Sequence, residues 1–322
     1  MTHPEDERLL QELEPVVARL LDRHLATAQD WLPHEYVPWS RGRDYTGTAG
    51  VPWEAGQSTL DPRVRAAFEL NLLTEDNLPS YHHSLRTRLG TGEAWGTWVH
   101  RWTAEEARHA TGIRDYLLVT RATDPEALER DRMRTMQAGY RPDDADLLGT
   151  VAYLALQELA TRLAHQRTGE RAGDPAAERL LRRVAADENL HLLFYRDLFT
   201  AALEMCPDRA VEAVAGQVIA FRMPGSAVAG FLRRTVLIAD AGIYDARSHR
   251  DHVITPLLRH WAVLDRKPAT TAAGRAQEAL ATHVDHLDAL ACRADERRAE
   301  RMAAAGDRPG RDGDPRANHL VP

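Results

Sequence analysis

What this chain has little of narrows it first. Only two cysteines occur among its 322 residues, Cys206 and Cys292, and neither sits in a metal or redox spacing. A cysteine-ligated metal site is thereby excluded, and a reducing cytoplasm is the expected compartment. No run approaches the roughly 18 uninterrupted apolar residues of a membrane span. The acidic opening, Met1-Thr2-His3-Pro4-Glu5-Asp6-Glu7, differs from the basic-then-apolar leader of a secreted protein. Basic side chains are outnumbered, 41 Lys and Arg against 48 Asp and Glu, so the net charge of −7 argues against general nucleic-acid affinity. No convincing stretch alternates apolar and polar residues as a half-buried strand does. An all-α class remains.

What is present fits that class. Apolar residues make up 43% of the chain, enough for a substantial core, and Ala, Leu, Arg and Glu favour helix. Helical patterns run over residues 6–28, 62–89, 93–120, 144–168, 175–203, 208–222, 226–240, 244–264 and 270–304, with one more from Asp124 to Gly139. Asp61-Pro62 reads as a start and Gly90 as a stop, with a kink expected at Pro79. The prolines and aromatics of Trp31-Leu32-Pro33-His34-Glu35-Tyr36-Val37-Pro38-Trp39 predict an ordered loop lying across the core. Residues 1–305 read as one domain, and the Gly, Asp, Arg and Pro of 306–322 as a disordered tail.

One chemical word occurs twice. An acid followed by Glu-x-x-His stands at Glu105-Glu106-Ala107-Arg108-His109 and at Asp187-Glu188-Asn189-Leu190-His191. Another glutamate lies 31 residues before the first Glu, at Glu75, and 30 before the second, at Glu158. A helical hairpin of that length returns its second glutamate to the level of the first. Two such hairpins packed together present four glutamates and two histidines inward, which is what a carboxylate-bridged di-iron centre takes from a bundle. Within Glu-x-x-His the two side chains share a helix face and reach one ion. Carboxylate with imidazole suits iron or manganese. The six groups together carry −4 with neutral histidines, which two divalent ions cancel.

Chance supplies about one Glu-x-x-His in a chain of this composition, so the word alone is weak. Placement strengthens it. Glu158 lies in the nearly all-apolar Val151-Ala152-Tyr153-Leu154-Ala155-Leu156-Gln157-Glu158-Leu159-Ala160, where an unpaired carboxylate would be costly. Glu75 is flanked by Leu72, Leu73 and Leu78. Asp187 and Glu105, if not surface acids, are placed to accept the Nδ1 proton of a ligand histidine from the opposite hairpin. His82 and His165 stand seven residues beyond Glu75 and Glu158, about 10 Å along the axis, too far to share a metal, and are expected to be satisfied polar or surface groups. Trp102 and Tyr153 are expected in the core. Arg132, Arg134, Arg179, Arg182 and Arg183 are expected on solvated helix faces.

In order, Leu73-Thr74-Glu75-Asp76-Asn77-Leu78-Pro79-Ser80-Tyr81, Arg101-Trp102-Thr103-Ala104-Glu105-Glu106-Ala107-Arg108-His109, Gln157-Glu158-Leu159-Ala160-Thr161 and Ala185-Ala186-Asp187-Glu188-Asn189-Leu190-His191 resemble the soluble acyl-[acyl-carrier-protein] desaturases of plant plastids and actinobacteria, the actinobacterial branch more closely. The loop from Trp31 to Trp39 and the Arg222-Met223-Pro224 turn also look like family features. The resemblance covers roughly residues 20–265. It implies a ferritin-like helical bundle, usually a homodimer, with two iron ions per subunit. Glu75, Glu106 and His109 would serve one iron, Glu158, Glu188 and His191 the other, and Glu106 and Glu188 would bridge. Thr161 would lie near the oxygen-binding face, unless its hydroxyl bonds only its own helix backbone. Trp31, with Asp187 and His109, would lie on the route by which electrons arrive.

The implied reaction removes two hydrogens from an unactivated acyl chain held on an acyl carrier protein, using O2 and electrons from a ferredoxin-like donor, and leaves a cis double bond. By position, the tunnel for the chain would be lined by Ser84, Thr87, Arg88, Gly149, Thr150 and Val151. Two places depart from the family pattern. Asn189 and Leu190 stand where the plant form is basic. Arg88 stands where an apolar cavity residue is expected, and would shorten the tunnel if it points inward. The ligand set is equally compatible with a di-iron oxygenase that hydroxylates a carrier-bound or small molecule. A ferritin-like metal-binding protein predicts a shorter four-helix chain, against which the extra helices and the Pro-aromatic loop argue.

Overall fold

The computed structural model describes residues 4–90, 92–140, 145–223, 225, 228 and 230–306. Residues 307–322 of the expected tail and Pro224 of the Arg222-Met223-Pro224 turn lie outside them. Among the described residues there are twelve α-helices and no strand, and no helix is long and apolar enough to cross a membrane.

Aspartates set many of the helix starts. Asp61, Asp124 and Asp174 each precede a proline and accept a backbone N–H of the first turn, opening α2 (Pro62–Glu75), α5 (Pro125–Ala138) and α7 (Pro175–Met205). The proline lacks only an N–H that has no partner inside the helix there. Asp146 caps α6 (Leu147–Arg171) in the same way. Gly90 and Gly139, both at positive φ, end α3 (Leu78–Leu89) and α5 as their sequence positions predict. The other helices are α1 (Pro4–Thr27), α4 (Glu93–Val119), α8 (Pro207–Ala220), α9 (Phe231–Asp240) and α12 (Thr271–Gly306). The helix expected over 244–264 is α10 (Ala246–His249), a π turn (Arg250–Ile254) and α11 (Thr255–His260).

Two expectations change. The helix expected over 226–240 begins only at Phe231, because Gly230 at positive φ precedes it. Residues 62–89 do not form a single kinked helix; they break at Asp76-Asn77 into α2 and α3. Pro79 has no N–H to donate to the carbonyl of Glu75, and it occupies the first turn of a new helix instead. Glu75 is left as the last residue of α2.

Helices α2, α4, α6 and α7 pack around the centre, with α6 and α7 in contact along their lengths and α1 laid against α4 and α7. The apolar core falls into two clusters. One contains Trp98 and Trp102 of α4 with Leu192 and Phe194 of α7. The other contains Ile113 and Tyr116 of α4 with Leu180 and Val184 of α7. Helix α4 passes from the first cluster to the second and α7 passes back. Between the clusters both helices cross a band of buried acids and histidines. Trp31 and Val37 of the Pro-aromatic loop are buried, whereas Trp39 is half exposed, so the loop lies across the core as expected for most of its length.

Candidate metal centre

The band is built from four helices. Glu75 comes from the end of α2, Glu106 and His109 from α4, Glu158 from α6, and Glu188 and His191 from α7. None is more than 6% exposed. They converge in two overlapping groups, Glu75–Glu106–His109–Glu188 and Glu106–Glu158–Glu188–His191, with the ligand atoms of each group within 4.8 Å of one another. The six expected residues are therefore brought together, and Glu106 and Glu188 belong to both groups. His109 Nδ1 lies 3.4 Å from Glu106, 3.5 Å from Glu188 and 3.6 Å from Glu75. His191 Nδ1 lies 3.0 Å from Glu106 and 3.5 Å from Glu158.

Four of these inward atoms are buried without a hydrogen-bond partner: Glu106 Oε1, His109 Nδ1, Glu158 Oε2 and His191 Nδ1. Left unsatisfied, such groups would cost roughly 1–3 kcal/mol each, and more where charged. Two cations with oxygen and nitrogen ligands remove that cost, so the donor set fits a two-metal site. The electrostatics agree. Burial, with the charge of Glu188 beside them, pushes the Glu106 and Glu158 carboxyls up. Burial also opposes the charge on Glu75, but the hydrogen bond to His165 and the nearby His109 imidazole outweigh it and hold that carboxyl low. Glu188 is likewise held low, by His109 and Glu158. Burial works against charge on His109 and His191, yet the surrounding carboxylates lift both well above the ordinary histidine range.

Asp187 and Glu105 each face the histidine of the opposite hairpin, but by the other nitrogen. Asp187 lies 3.4 Å from His109 Nε2 and Glu105 lies 2.9 Å from His191 Nε2. The expected Nδ1 contact is corrected because Nδ1, one bond nearer the backbone than Nε2, is the atom turned toward Glu106 in both histidines. Trp31 Nε1 donates to Asp187 at 2.7 Å. Despite the burial of Asp187, its bonds to His109 and Trp31 and the charge of Arg183 hold its carboxyl down to about 2. Glu105 also sits below the usual carboxylate range, with His191 and His24 outweighing burial. Arg183 bonds Asp187, and Arg132 pairs with Asp76 and Glu129, so neither is the solvated arginine expected. Thr161 has both arrangements open to it, with Oγ1 3.0 Å from Glu188 Oε2 and 3.1 Å from the Gln157 carbonyl.

Three participants are not placed at the centre by the sequence. His24, on α1, lies 2.9 Å from Glu105. Its signal was its place after Leu13, Val17 and Leu21 on the buried face of that helix. Trp102, in the core as expected, donates to Glu158 Oε1 at 3.0 Å. His165 is a satisfied polar group as expected, but the group that satisfies it is Glu75, 2.8 Å away. Its distance from Glu158 along α6 says nothing about a glutamate arriving on α2. His82 bonds Thr103, outside the cluster.

Three cavities approach the centre. One, of about 400 Å³, meets Glu75 from the side of Asp76, Ala107 and Ala110. Of the two others, the larger, about 550 Å³, is mostly apolar; Glu75, Thr161 and His165 form part of its wall, and Phe221, Phe231 and Ile243 line it farther out. The smaller, about 60 Å³, is bounded by Trp102, Ser84, Arg88 and Thr150. Of the expected tunnel residues, Thr87 is exposed and Val151 lies in the core. Arg88 points inward, donating to the Ala145 carbonyl and to Thr150 at 3.1 Å.

Comparison with known proteins gives a consistent family. The family profile described as fatty acid desaturase matches residues 5–307. DesA1 of Mycobacterium tuberculosis, provisionally named an acyl-[acyl-carrier-protein] desaturase, is 42% identical over 295 residues, covering 89% of this chain and 87% of the relative. A chloroplastic stearoyl-[acyl-carrier-protein] 9-desaturase of Arabidopsis thaliana is 30% identical, covering 70% of this chain and 62% of its own length. The X-ray structure of DesA2 from Mycobacterium tuberculosis, also provisionally named, superposes with a TM-score of 0.69 at 29% identity, covering 84% of this chain and 99% of that one.

Proposed function

This chain belongs to the fatty acid desaturase family, and from that premise we propose that it is an acyl-[acyl-carrier-protein] desaturase, an oxidoreductase acting in fatty acid biosynthesis. The observation that carries this reading is the set of four unpartnered inward atoms beside the wall of a large apolar cavity. Two iron ions are the proposed metals, with Glu75, Glu106 and His109 as ligands to one, Glu158, Glu188 and His191 to the other, and Glu106 and Glu188 shared. When bound, reduced iron supplies the O2 activation needed to break an unactivated C–H bond, which side-chain acids and bases do not supply. In balance, the acyl chain loses two hydrogens, O2 takes these with two electrons and two protons, and two waters leave.

The chain's own residues do the rest. The apolar cavity holds the acyl chain against the centre and excludes water. Asp187 and Glu105 accept from Nε2 of His109 and His191, fixing the tautomer that turns each Nδ1 inward. Thr161 is the catalytic hydroxyl of this reading, placed to hold a proton at Glu188 Oε2. Asp187 joins Trp31 to His109, and this line is the proposed path for electrons from a ferredoxin-like donor. An acyl carrier protein as partner, a homodimeric state and a cytoplasmic location complete the reading. The unpaired Cys206 and Cys292 are consistent with that compartment, and the family match to residues 5–307 supports one catalytic domain.

The test is anaerobic iron loading, chemical reduction, then addition of a long-chain acyl carrier protein with O2, followed by mass spectrometry of the acyl group. Loss of two hydrogens is expected. Gain of one oxygen would favour the oxygenase, and iron uptake without any change to the acyl chain would favour metal storage.

A further inference from the structure

We infer that His165 is a positioning residue that clamps Glu75 so that only one of its oxygens is offered to a metal; this rests on the reading of the centre as a two-metal site. Both nitrogens of His165 are occupied. Nε2 lies 2.8 Å from Glu75 Oε1, and Nδ1 lies 3.3 Å from the side-chain nitrogen of Asn71. An amide NH2 only donates, so Nδ1 is the acceptor and the ring proton sits on Nε2, where it is given to Glu75. The ring retains no lone pair for an ion. His109 and His191 are the reverse case, each with a buried, unpartnered Nδ1 turned into the cluster.

The arrangement has a counterpart across the site. Trp102 Nε1 donates to Glu158 Oε1 at 3.0 Å, leaving Glu158 Oε2 unpartnered and 3.5 Å from His191 Nδ1. Likewise His165 holds Glu75 Oε1, leaving Oε2 3.6 Å from His109 Nδ1. Each outer glutamate thus has one oxygen held by a ring N–H and the other turned toward the histidine of its own metal group. An oxygen already engaged with a donor does not readily close around the same ion. The two clamps differ in surroundings. Trp102 belongs to the apolar core, whereas Asn71 and His165 stand in the cavity wall with Glu75 and Thr161. The Glu75 clamp therefore faces the space in which the acyl chain is proposed to lie.

Three full-length variants test this. His165→Phe keeps a ring but removes the donor, His165→Gln restores an N–H, and Asn71→Leu removes only the group that sets the tautomer. Each is titrated anaerobically with ferrous ion and examined by Mössbauer spectroscopy, with the melting temperature of the metal-free protein as a control. Wild type should take two ions. His165→Phe should bind one of the two about 10-fold or more weakly, the usual scale for losing an outer-shell partner, and shift the Mössbauer doublet of that iron alone. His165→Gln should recover most of the affinity, and Asn71→Leu should fall between. Two ions bound with wild-type affinity and unchanged spectra in His165→Phe would overturn the inference while leaving the metal centre intact. Equal weakening of both ions with a lower melting temperature would also overturn it, showing a structural role only. A wild type that takes fewer than two ions would overturn the metal-centre reading itself.

Discussion

The His109 half of the centre and the His191 half share a plan but differ in what encloses them. Around His191, Glu158 is fully buried, its clamp is an indole from the core, and Glu105 is held by His24 and Arg101 as well as by His191. Around His109, Glu75 stands in a cavity wall, its clamp is an imidazole, and Asp187 connects to Trp31. One half is enclosed by packing apart from the small cavity against Trp102, and the other is open to the large cavity on one side and joined to the loop on the other. A duplicated hairpin thus supplies equal ligands, and the surrounding elements make the two halves unequal. Near neutral pH, where protons do not compete, the more enclosed half is expected to keep its ion most firmly once loaded, and the open half to answer to substrate.

The largest effect on that comparison should come from Glu158→Ala. It removes a ligand from the more enclosed half, where no neighbouring side chain replaces it, and should abolish binding of at least one iron. Metal analysis after anaerobic loading reads this directly, and two ions retained would break the assignment. Next, Asp187→Asn and Glu105→Gln should each weaken one ion by about 10- to 100-fold. Glu105→Gln should also lower stability more than Trp31→Phe, because it leaves His24 and Arg101 without their shared anion. Trp31→Phe loses one bond to a charged carboxylate, about 1.5–3 kcal/mol. Denaturant midpoints of the metal-free proteins measure the difference.

Acid should separate the halves. Glu106 and Glu188 belong to both groups, so the halves differ in Glu158, whose carboxyl is raised, and Glu75, whose carboxyl is lowered; protons therefore compete with metal more strongly in the His191 half. As pH falls, the carboxyls with raised values take up protons first, and each proton to be displaced costs about tenfold in apparent affinity per pH unit. Stoichiometry should therefore drop from two ions toward one, with the Glu75–His109 group the last to empty. Loss of both ions together would show that the halves do not titrate separately. The smallest effect is expected from Thr161→Val. Its hydroxyl has backbone acceptors as well as Glu188, so stability should change by about 1 kcal/mol or less. The ratio of product formed to O2 consumed should fall if the hydroxyl steers a proton.

Much of the fold was legible because helix starts and stops are local. Asp61-Pro62, Asp124-Pro125, Asp174-Pro175, Gly90 and Gly139 do in the structure what their backbone chemistry dictates. The ligand set was legible through spacing, since i, i+3 fixes a helix face and a stretch of about thirty residues fixes the return of a hairpin. The break between α2 and α3 was misplaced because Pro79 can either kink a helix or begin one, and the choice depends on what α3 packs against. The Nε2 contacts of Asp187 and Glu105 were misassigned because the orientation of a ring is set by both of its neighbours at once. The partner of His165 was not legible because spacing along α6 carries no information about a glutamate that arrives on α2.

By itself the sequence determined the helices, the apolar faces and the six residues that meet in the bundle, since each follows from a period or spacing along one chain. Which groups surround those six was decided by the tertiary structure. His24 comes from α1, Trp31 from a loop, Trp102 from α4 and Asn71 with His165 from two different helices. A hydrogen bond needs its donor and acceptor within about 3 Å, and only packing brings groups that are 81, 156, 56 or 90 residues apart to that distance.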